Sequence, residues 1–154
     1  MLMNDIAVVG GGTMGTGIAY VAAQAGCHVT VVEPNERTAE SMQGSLSDAA
    51  KNGLARGRLD RESATALLKR IDHVYDVGDI ALGMDLVIET VPERDDTKLD
   101  VLRKIAKRQP SFIATNTSAL SIDELSEAVA HPDRFLGMHF FNPVPIMKLL
   151  ELVK

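Results

Sequence analysis

The sequence predicts an α/β fold, with a mostly parallel, doubly wound sheet and helices on both of its faces. Short continuous apolar runs alternate along the chain with longer segments whose apolar residues recur at helical spacing. Such continuous runs are typical of strands that are covered on both faces, as in parallel sheets. The length of 154 residues and the hydrophobic content of 45% suit one globular domain, so we expect residues 1–154 to form a single unit.

The first three predicted elements are a strand, a helix and a second strand. Residues 6–9 are an apolar run that stops at Gly10, which predicts a buried strand. Residues 13–25 carry apolar side chains at helical spacing, and Gly26 is expected to end this helix. Residues 29–32 repeat the apolar run of the first strand. A strand, a helix and a strand in this order predict a right-handed crossover between parallel strands.

Capping residues and apolar stripes predict two further helices. Asn35 and Asp60 are the expected N-caps, because their side chains can accept hydrogen bonds from free amides at a helix start. The apolar stripes comprise Ala39, Met42, Leu46 and Ala50 in one helix, and Ala64, Leu67, Leu68 and Ile71 in the other. The Asn52-Gly53 pair is expected to separate the two helices.

The rest of the chain continues the alternation of strands and helices. The predicted elements are a weak strand near 73–74, a short turn-rich helical segment, a strand over 86–88, a helix over 99–106, and strands over 112–114, 135–141 and 148–153. Ser121 and Glu124 have the spacing of a capping box, which predicts one more helix start. Strands that alternate with helices in this way predict a mostly parallel sheet.

Composition excludes several classes of protein. The formal net charge of −5 argues against a general nucleic-acid binder, which usually carries a basic excess. Cys27 is the one cysteine, so no disulfide can form within the chain. The apolar start contains no Lys or Arg before Arg37 and is interrupted by glycines, which argues against a signal peptide. Because no uninterrupted apolar run reaches membrane-spanning length, we expect no membrane partner and a cytoplasmic protein.

A glycine motif follows the first strand with the spacing Gly10-x-Gly12-x-x-Gly15. Gly10 permits a tight turn, Gly12 lets the backbone approach a pyrophosphate, and Gly15 lets helix and strand pack closely. Together with Thr13 and Met14, these residues would place the free amides of a helix start against the phosphates. The motif predicts a Rossmann-type dinucleotide site, although the spacing alone also suits a glycine-rich turn without a ligand.

Glu33 ends the second strand, 18 residues after Gly15. An acid at this place accepts hydrogen bonds from the hydroxyls of the adenosine ribose. Its charge would repel a 2′-phosphate, so the sequence favours NAD over NADP as the cofactor. Arg37 lies one helical turn further on and could favour NADP, although a solvated surface arginine is its expected role.

Five segments occur in order along the chain: Gly10-Gly-Gly-Thr-Met-Gly-Thr-Gly17, Val87-Ile-Glu-Thr-Val-Pro-Glu93, Asn116-Thr-Ser118, His139-Phe-Phe-Asn-Pro-Val-Pro145 and Leu149-Leu-Glu-Leu-Val153. Their combination resembles the L-3-hydroxyacyl-CoA dehydrogenase family, which includes the 3-hydroxybutyryl-CoA dehydrogenases and serves fatty-acid β-oxidation and related pathways. The resemblance runs along the whole chain. It implies oxidation of a 3-hydroxyacyl-CoA to a 3-oxoacyl-CoA, with hydride transfer to NAD.

The resemblance also implies roles for residues near the reacting atoms. His139 matches the family's base and Glu151 its orienting acid, and histidine suits proton transfer because its pKa lies near neutrality. The alternative for this pair is a histidine at the edge of the core and a solvated glutamate. Ser118 and Asn142 match positions near the substrate hydroxyl and the nicotinamide, although a turn or cap role suits both residues as well.

Further contacts to cofactor and substrate follow from the same resemblance. Glu93 and Lys98 match positions that contact the nicotinamide-side ribose, although Lys98 could also be a solvated helix residue. Ser45 matches a position that contacts CoA, and Lys51 could replace a family lysine that falls near Asn52. A local basic excess could steer the phosphates of CoA, with a solvated helix face as its alternative. This excess comprises Lys51, Arg56, Arg58 and Arg61 against one acid, Asp60.

Family chains continue into a helical domain that completes the active site and makes most of a homodimer interface. The resemblance covers only the N-terminal half, so we expect this chain to bind NAD but to turn over acyl-CoA weakly. Two alternatives stay open at this point. The chain could be a noncatalytic NAD-binding module, or part of an NAD-dependent dehydrogenase that acts on a hydroxy acid without CoA.

Overall fold

A computed structural model describes residues 3–154 of the chain; Met1 and Leu2 of the predicted domain lie outside the described residues. The strands are β1 (Asp5–Val9), β2 (His28–Val32), β3 (Ile71–Val74), β4 (Leu86–Glu89), β5 (Phe112–Thr115), β6 (Phe135–Phe140) and β7 (Leu150–Val153). The helices are α1 (Thr13–Gln24), α2 (Glu36–Ala55), α3 (Arg61–Lys69), α4 (Asp95–Ala106) and α5 (Ile122–Ser126). Short 3-10 turns span Val77–Asp79 and Pro132–Arg134.

The sheet confirms the predicted fold class. Its strand order is β3-β2-β1-β4-β5-β6-β7, and all neighbouring strands are parallel except the pair β6 and β7. The chain builds outward from β1 to β3 and then crosses back to place β4 on the other side of β1. Loops that leave the carboxyl ends of β1 and β4 therefore diverge, and this opens a crevice at the switch point.

The core consists of two apolar layers, one on each face of the sheet. Side chains of β1 alternate between them, so that Val8 packs in the layer of Ile18 from α1, and Ala7 packs in the layer of Leu102 from α4. Each of these residues is fully buried. This burial on both faces explains why the central strands have continuous apolar sequences.

The predicted caps form in the structure. The Asn35 side chain accepts a hydrogen bond from the Thr38 amide at 3.1 Å, and Asp60 accepts one from the Ser63 amide at 2.7 Å. Ser121 accepts from the Glu124 amide at 3.3 Å, which is the serine half of the capping box. The predicted stripe of α2 is buried as expected. These local interactions fix where the helices begin.

The structure corrects the predicted break at Asn52-Gly53. α2 continues through this pair to Ala55, and the chain turns only at Gly57, whose φ is +66°. A Cβ at Gly53 would lie 2.8 Å from Leu59 Cδ1, so this glycine permits close packing of the returning chain instead of ending the helix.

Two further predictions about element boundaries and one about a buried face are wrong. Ile71 begins β3 instead of continuing α3, because its backbone pairs with Val29 of β2. Leu68 is 37% exposed and does not belong to the buried face of α3. The last strand begins at Leu150 instead of Lys148, and it runs antiparallel at the sheet edge. Among residues 3–154, no helix is long and apolar enough to cross a membrane.

Candidate functional site

A cleft of about 850 Å³ lies at the carboxyl ends of β1, β2 and β4. Its walls include most of the residues predicted to hold NAD, namely Gly10, Gly12, Thr13, Met14, Glu33 and Glu93. Four predicted cofactor contacts lie outside its lining: Gly15 and Lys98, which are buried, and Ser118 and Asn142. The crevice is therefore where the strand order places a dinucleotide site.

The glycine turn has the geometry that the motif requires. Gly10 has a φ of +115°, and a Cβ there would lie 2.9 Å from the Thr90 carbonyl oxygen. A Cβ at Gly15 would lie 1.8 Å from the Gly10 carbonyl oxygen, so any side chain would push α1 off β1. Nothing lies within 4 Å of a Cβ at Gly12, which leaves open space in front of the turn. Gly12 is the N-cap of α1, and the first amides of the helix are free to bind an anion.

Glu33 has a second role that the sequence reasoning missed. Its buried carboxylate accepts hydrogen bonds from the Gly11 amide and the Asn35 amide, each at 2.9 Å. A Cβ at Gly11 would lie 2.9 Å from the Glu33 Cβ, so only glycine fits there. Carboxylate oxygens have further lone pairs, and a ribose hydroxyl can still donate to Glu33. Gly11, the middle glycine of Gly10-Gly11-Gly12, is the sequence signal for this contact.

Thr90 is another residue that the sequence reasoning did not single out. It follows β4, and its hydroxyl lies 3.0 Å from the Val9 carbonyl oxygen and 3.0 Å from that of Gly10. The hydroxyl can donate to either oxygen, and it ties the start of the glycine turn to the neighbouring strand.

A buried ion pair lies behind the cleft. Lys98 Nζ contacts Glu89 Oε1 at 2.9 Å, and both side chains have 0% exposure. Nζ also donates to the carbonyl oxygens of Val91 and Asn116, at 3.3 and 3.2 Å. Burial raises the pKa of Glu89, while the charge of Lys98 acts in the opposite direction. The alternative of a solvated Lys98 is therefore wrong, and its contact with a ribose stays a prediction.

Glu93 connects this ion pair to the loop after β5. Its Oε1 accepts hydrogen bonds from the Thr117 hydroxyl and from the Ser118 amide, and its Oε2 lies 3.4 Å from Lys98 Nζ. Burial acts against the charged form, but the Thr117 hydrogen bond and the Lys98 charge hold the pKa of Glu93 below its ordinary value. Glu93 is thus a fixed, ionised acceptor in the cleft wall.

His139 and Glu151 face each other across the antiparallel pair β6 and β7. The two residues are directly opposite in register, and His139 Nδ1 lies 2.9 Å from Glu151 Oε2. The His139 ring packs on Phe141 with centroids 4.3 Å apart. The Phe140 amide donates to Asn116 Oδ1 at 3.0 Å, and Asn116 lines the cleft. This bond ties the histidine strand to the wall of the dinucleotide cleft.

A second cleft, of about 550 Å³, lies on the other side of the glycine turn and shares Gly12, Thr13 and Thr38 with the first. Ser45 and Asn142 line it. A smaller cavity of about 240 Å³ shares Tyr20, Ala49 and Pro145 with this second cleft, and Arg56 and Arg58 line it. The helix face that carries Ser45 therefore leads to a local cluster of positive charge.

The structure does not bring every predicted site residue together. Lys51 is ion-paired with Asp48 at 3.3 Å on an exposed face, outside the lining of both clefts. Ser118 is exposed on the loop after β5 and contacts Glu93 through its amide. His139, Glu151 and Ser118 line neither of the two clefts.

The glycine turn at the head of α1, the acid at the end of β2 and the crevice at the switch point define a Rossmann-type dinucleotide-binding domain. The family model described as 3-hydroxyacyl-CoA dehydrogenase, NAD binding domain, matches residues 5–154. The chain belongs to this family, and NAD is the cofactor that its domain binds.

Known proteins are similar to this chain in sequence and in structure. A probable 3-hydroxyacyl-CoA dehydrogenase of Caenorhabditis elegans is 36% identical over 159 residues, which cover 99% of this chain and 52% of that protein. The crystal structure of an (S)-3-hydroxybutyryl-CoA dehydrogenase from Ralstonia eutropha has a TM-score of 0.92 at 33% identity, and covers 98% of this chain and 54% of that one. A diketoreductase that acts on dicarbonyl compounds has a TM-score of 0.90 at 29% identity, over 99% and 55% of the two chains. The chain spans about half the length of most of the curated relatives that it matches.

Proposed function

We propose that this chain supplies the NAD site and the acid–base pair of a dehydrogenase that oxidises (S)-3-hydroxyacyl-CoA to 3-oxoacyl-CoA. The 2.9 Å contact between His139 and Glu151 carries the proposal, because His139 lies near the carboxyl end of β6, at the same end of the parallel strands as the glycine turn after β1. Membership of the family and relatives named as 3-hydroxyacyl-CoA dehydrogenases support the substrate class.

The proposed chemistry divides a hydride and a proton between two acceptors. Bound NAD supplies the acceptor for the hydride that leaves the alcohol carbon. His139 takes the hydroxyl proton on Nε2 as the C–O bond becomes a carbonyl. Glu151 keeps the remaining ring proton on Nδ1, which leaves Nε2 as the basic nitrogen, and it stabilises the imidazolium that forms. In the reverse direction, His139 returns this proton to the carbonyl oxygen.

Ser118 and Asn142 are proposed to bind the oxygen of the substrate as it changes from hydroxyl to carbonyl. A hydroxyl and an amide can both donate to that oxygen. The bond from the Ser118 amide to Glu93 supports this role for Ser118, and the position of Asn142 in the lining of the second cleft supports it for Asn142. The two residues approach the reacting centre from different elements.

The cofactor is proposed to lie along the first cleft, from β2 to β5. The phosphates would bind at Gly10, Gly12, Thr13 and Met14, which line the cleft at the turn and at the start of α1. Gly15, which was also predicted to contact the cofactor, lies behind them and lets α1 pack on β1. Glu33 would accept from the adenosine ribose, and Glu93 from the nicotinamide-side ribose, with Lys98 holding Glu93 in place.

CoA is proposed to lie along the second cleft. Ser45 lines that cleft, and Arg56 and Arg58 lie in the cavity that continues it. Guanidinium groups suit phosphates because they donate in a planar fork. Lys51, the lysine predicted to contact CoA, is paired with Asp48 in this structure. The positive charge for the phosphates of CoA would therefore come from these two arginines.

We also propose that the family's homodimer forms mostly through a helical domain, and that this domain covers the edge strand β7. All four residues of β7 are exposed, and Leu152 reaches 64% exposure. Without such a cover, water reaches His139, and turnover is expected to be weak.

The test is His139→Gln in the protein joined to its helical domain, with His28→Gln as the matched control on an exposed position at the start of β2. Loss of the base is expected to lower kcat by about 100- to 10,000-fold while the affinity for NAD stays within about twofold. NADH formation and calorimetric NAD titration measure the two quantities. Unchanged kcat in the variant would contradict the proposal.

A second candidate is an NAD-dependent dehydrogenase whose substrate lacks CoA. The structural likeness to a diketoreductase favours this candidate, because that enzyme acts on dicarbonyl compounds. Comparing kcat/KM for 3-hydroxybutyryl-CoA and free 3-hydroxybutyrate separates the two candidates. A noncatalytic NAD module predicts turnover of neither substrate.

A further inference from the structure

Tyr75 is an aromatic residue in the wall of the dinucleotide cleft. It directly follows β3, and 56% of it is exposed. The chain contains two tyrosines and no tryptophan, and the other tyrosine, Tyr20, is buried at 6% exposure. An exposed aromatic ring in a ligand cleft is a surface on which a planar ligand can stack.

The strand register locates Tyr75 within the cleft. The Glu33 amide donates to the Val74 carbonyl oxygen at 3.0 Å, so Tyr75 lies one residue beyond a direct contact with the ribose-binding acid. Because β3 flanks β2 on the side away from β1, the glycine turn and Glu93 lie on the opposite side of Glu33. A dinucleotide whose phosphates meet the glycine turn and whose ribose meets Glu33 would carry its adenine towards Tyr75.

The Tyr75 ring packs against the ring of His73, and a hydrogen bond closes the turn that follows it. The His73 ring packs against it edge-on, with centroids 4.6 Å apart and an interplanar angle of 68°. His73 Nε2 forms a hydrogen bond with the Glu33 carbonyl oxygen at 2.9 Å. In the turn after Tyr75, the Asp76 side chain accepts a hydrogen bond from the Gly78 amide at 2.6 Å. A ring fixed in this way loses little conformational freedom on binding.

The wall around Tyr75 has the character of a slot for a planar base. Pro34 and Val77 lie on its own side of the cleft, and Val101 of α4 lies in the same lining. Lys104 of α4 is paired with Asp100 at 2.8 Å. Apolar walls with polar groups at the rim suit a purine, which has two flat faces and a polar edge.

We propose that Tyr75 forms the adenine-binding wall of the NAD site, and that His73 is the positioning residue that holds its ring. The inference rests on the NAD site proposed above and adds the recognition of the base to that of the ribose and phosphates. The ligand class is a purine nucleotide.

Tyrosine fluorescence tests the contact directly. Tyr20→Phe leaves Tyr75 as the sole tyrosine in a chain without tryptophan. AMP, ADP-ribose and NAD are expected to quench its emission on binding, whereas nicotinamide mononucleotide, which lacks adenosine, is expected to leave it unchanged. Binding of AMP without any change in emission would overturn the inference.

Affinity measurements on the otherwise native chain provide the second arm. Tyr75→Ala is expected to weaken AMP and NAD by about 5- to 100-fold, and Tyr75→Phe to keep them within about threefold, because stacking needs the ring and not the hydroxyl. Leu82→Ala, at an apolar position that is 66% exposed and outside the cleft lining, is the matched control. Nicotinamide mononucleotide should bind all variants equally.

The outcomes separate this inference from the proposed function. If Tyr75→Ala binds NAD as the native chain does, the adenine wall is wrong and the NAD site stands. If the native chain fails to bind AMP, NAD and nicotinamide mononucleotide alike, the proposed function fails and the inference falls with it.

Discussion

At Lys98, a lysine that sequence alone could place on the surface is fully enclosed and paired with Glu89. Its ammonium group donates hydrogen bonds to three acceptors that lie near the ends of β4 and β5. These acceptors are the Glu89 carboxylate and the carbonyl oxygens of Val91 and Asn116. Charged groups out of water need such partners, because an isolated buried charge is very unfavourable. The cleft wall therefore depends on the contact between Lys98 of α4 and Glu89 at the end of β4.

Lys98→Met leaves the Glu89 carboxylate buried without its counter-charge. We expect the free energy of unfolding to fall by about 3–5 kcal/mol, and the double variant Glu89→Gln/Lys98→Met to recover part of this loss. Lys104→Met is the matched control, because it removes an exposed ion pair of the same helix and should cost less than about 1 kcal/mol. Urea denaturation measures all three, and equal losses for Lys98→Met and Lys104→Met would contradict the account.

Among the elements, the contact between β1 and α1 depends most on glycine. A Cβ at Gly15 meets a backbone oxygen of Gly10, which cannot rotate away as a side chain could. Gly44 lies in the interior of α2, where nothing approaches within 4 Å of a Cβ. The same substitution should therefore have opposite effects at these two glycines.

Gly15→Ala is expected to lower the free energy of unfolding by about 2–4 kcal/mol and to weaken NAD binding, because α1 must shift. Gly44→Ala is expected to raise the free energy of unfolding by about 0.5–1 kcal/mol, since alanine favours an exposed helix interior. Chemical denaturation and NAD titration of both variants check this. Destabilisation by Gly44→Ala of the same size as by Gly15→Ala would rule out the steric explanation.

The sequence could predict the elements whose signals are local. The apolar run of β1, the Asn35 cap and the glycine turn depend on neighbours in the chain, and each was found where predicted. The continuation of α2 through Gly53 depends on packing against Leu59, which no local pattern encodes. The same holds for the burial of Lys98 and for the bonds of Glu33 to Gly11 and Asn35. The His139–Glu151 contact needed the antiparallel register of β6 and β7, which was not predicted; only the resemblance suggested that the two residues are paired.

On the scale of the whole molecule, the glycine turn separates two clefts that share its backbone. One cleft has the acids that suit ribose hydroxyls, and the other leads to arginines in a chain whose net charge is −5. Cofactor and substrate would thus approach the same end of the sheet from opposite sides of α1. Because the clefts are separate, one can present acids to ribose hydroxyls while the other presents arginines to phosphates.

Reversing the charge of the arginine cavity should affect CoA and spare NAD. Arg56→Glu/Arg58→Glu is expected to raise KM for acetoacetyl-CoA by about tenfold or more at low salt, with little change for acetoacetyl-pantetheine, which lacks the nucleotide phosphates. Arg61→Glu, on α3 and outside the cavity lining, is the matched control. Equal effects on both substrates would show that these arginines do not contact the phosphates.

The proposed pairing of base and cofactor can be seen in a crystal structure of the protein joined to its helical domain, in complex with NAD and acetoacetyl-CoA. We expect His139 Nε2 to lie within hydrogen-bond distance of the 3-oxo oxygen, roughly 2.6–3.2 Å, with the nicotinamide C4 facing the carbon of that carbonyl. Glu151 should remain on Nδ1. A nicotinamide ring on the far side of the sheet from His139, with no room for the alcohol carbon between them, would contradict the account.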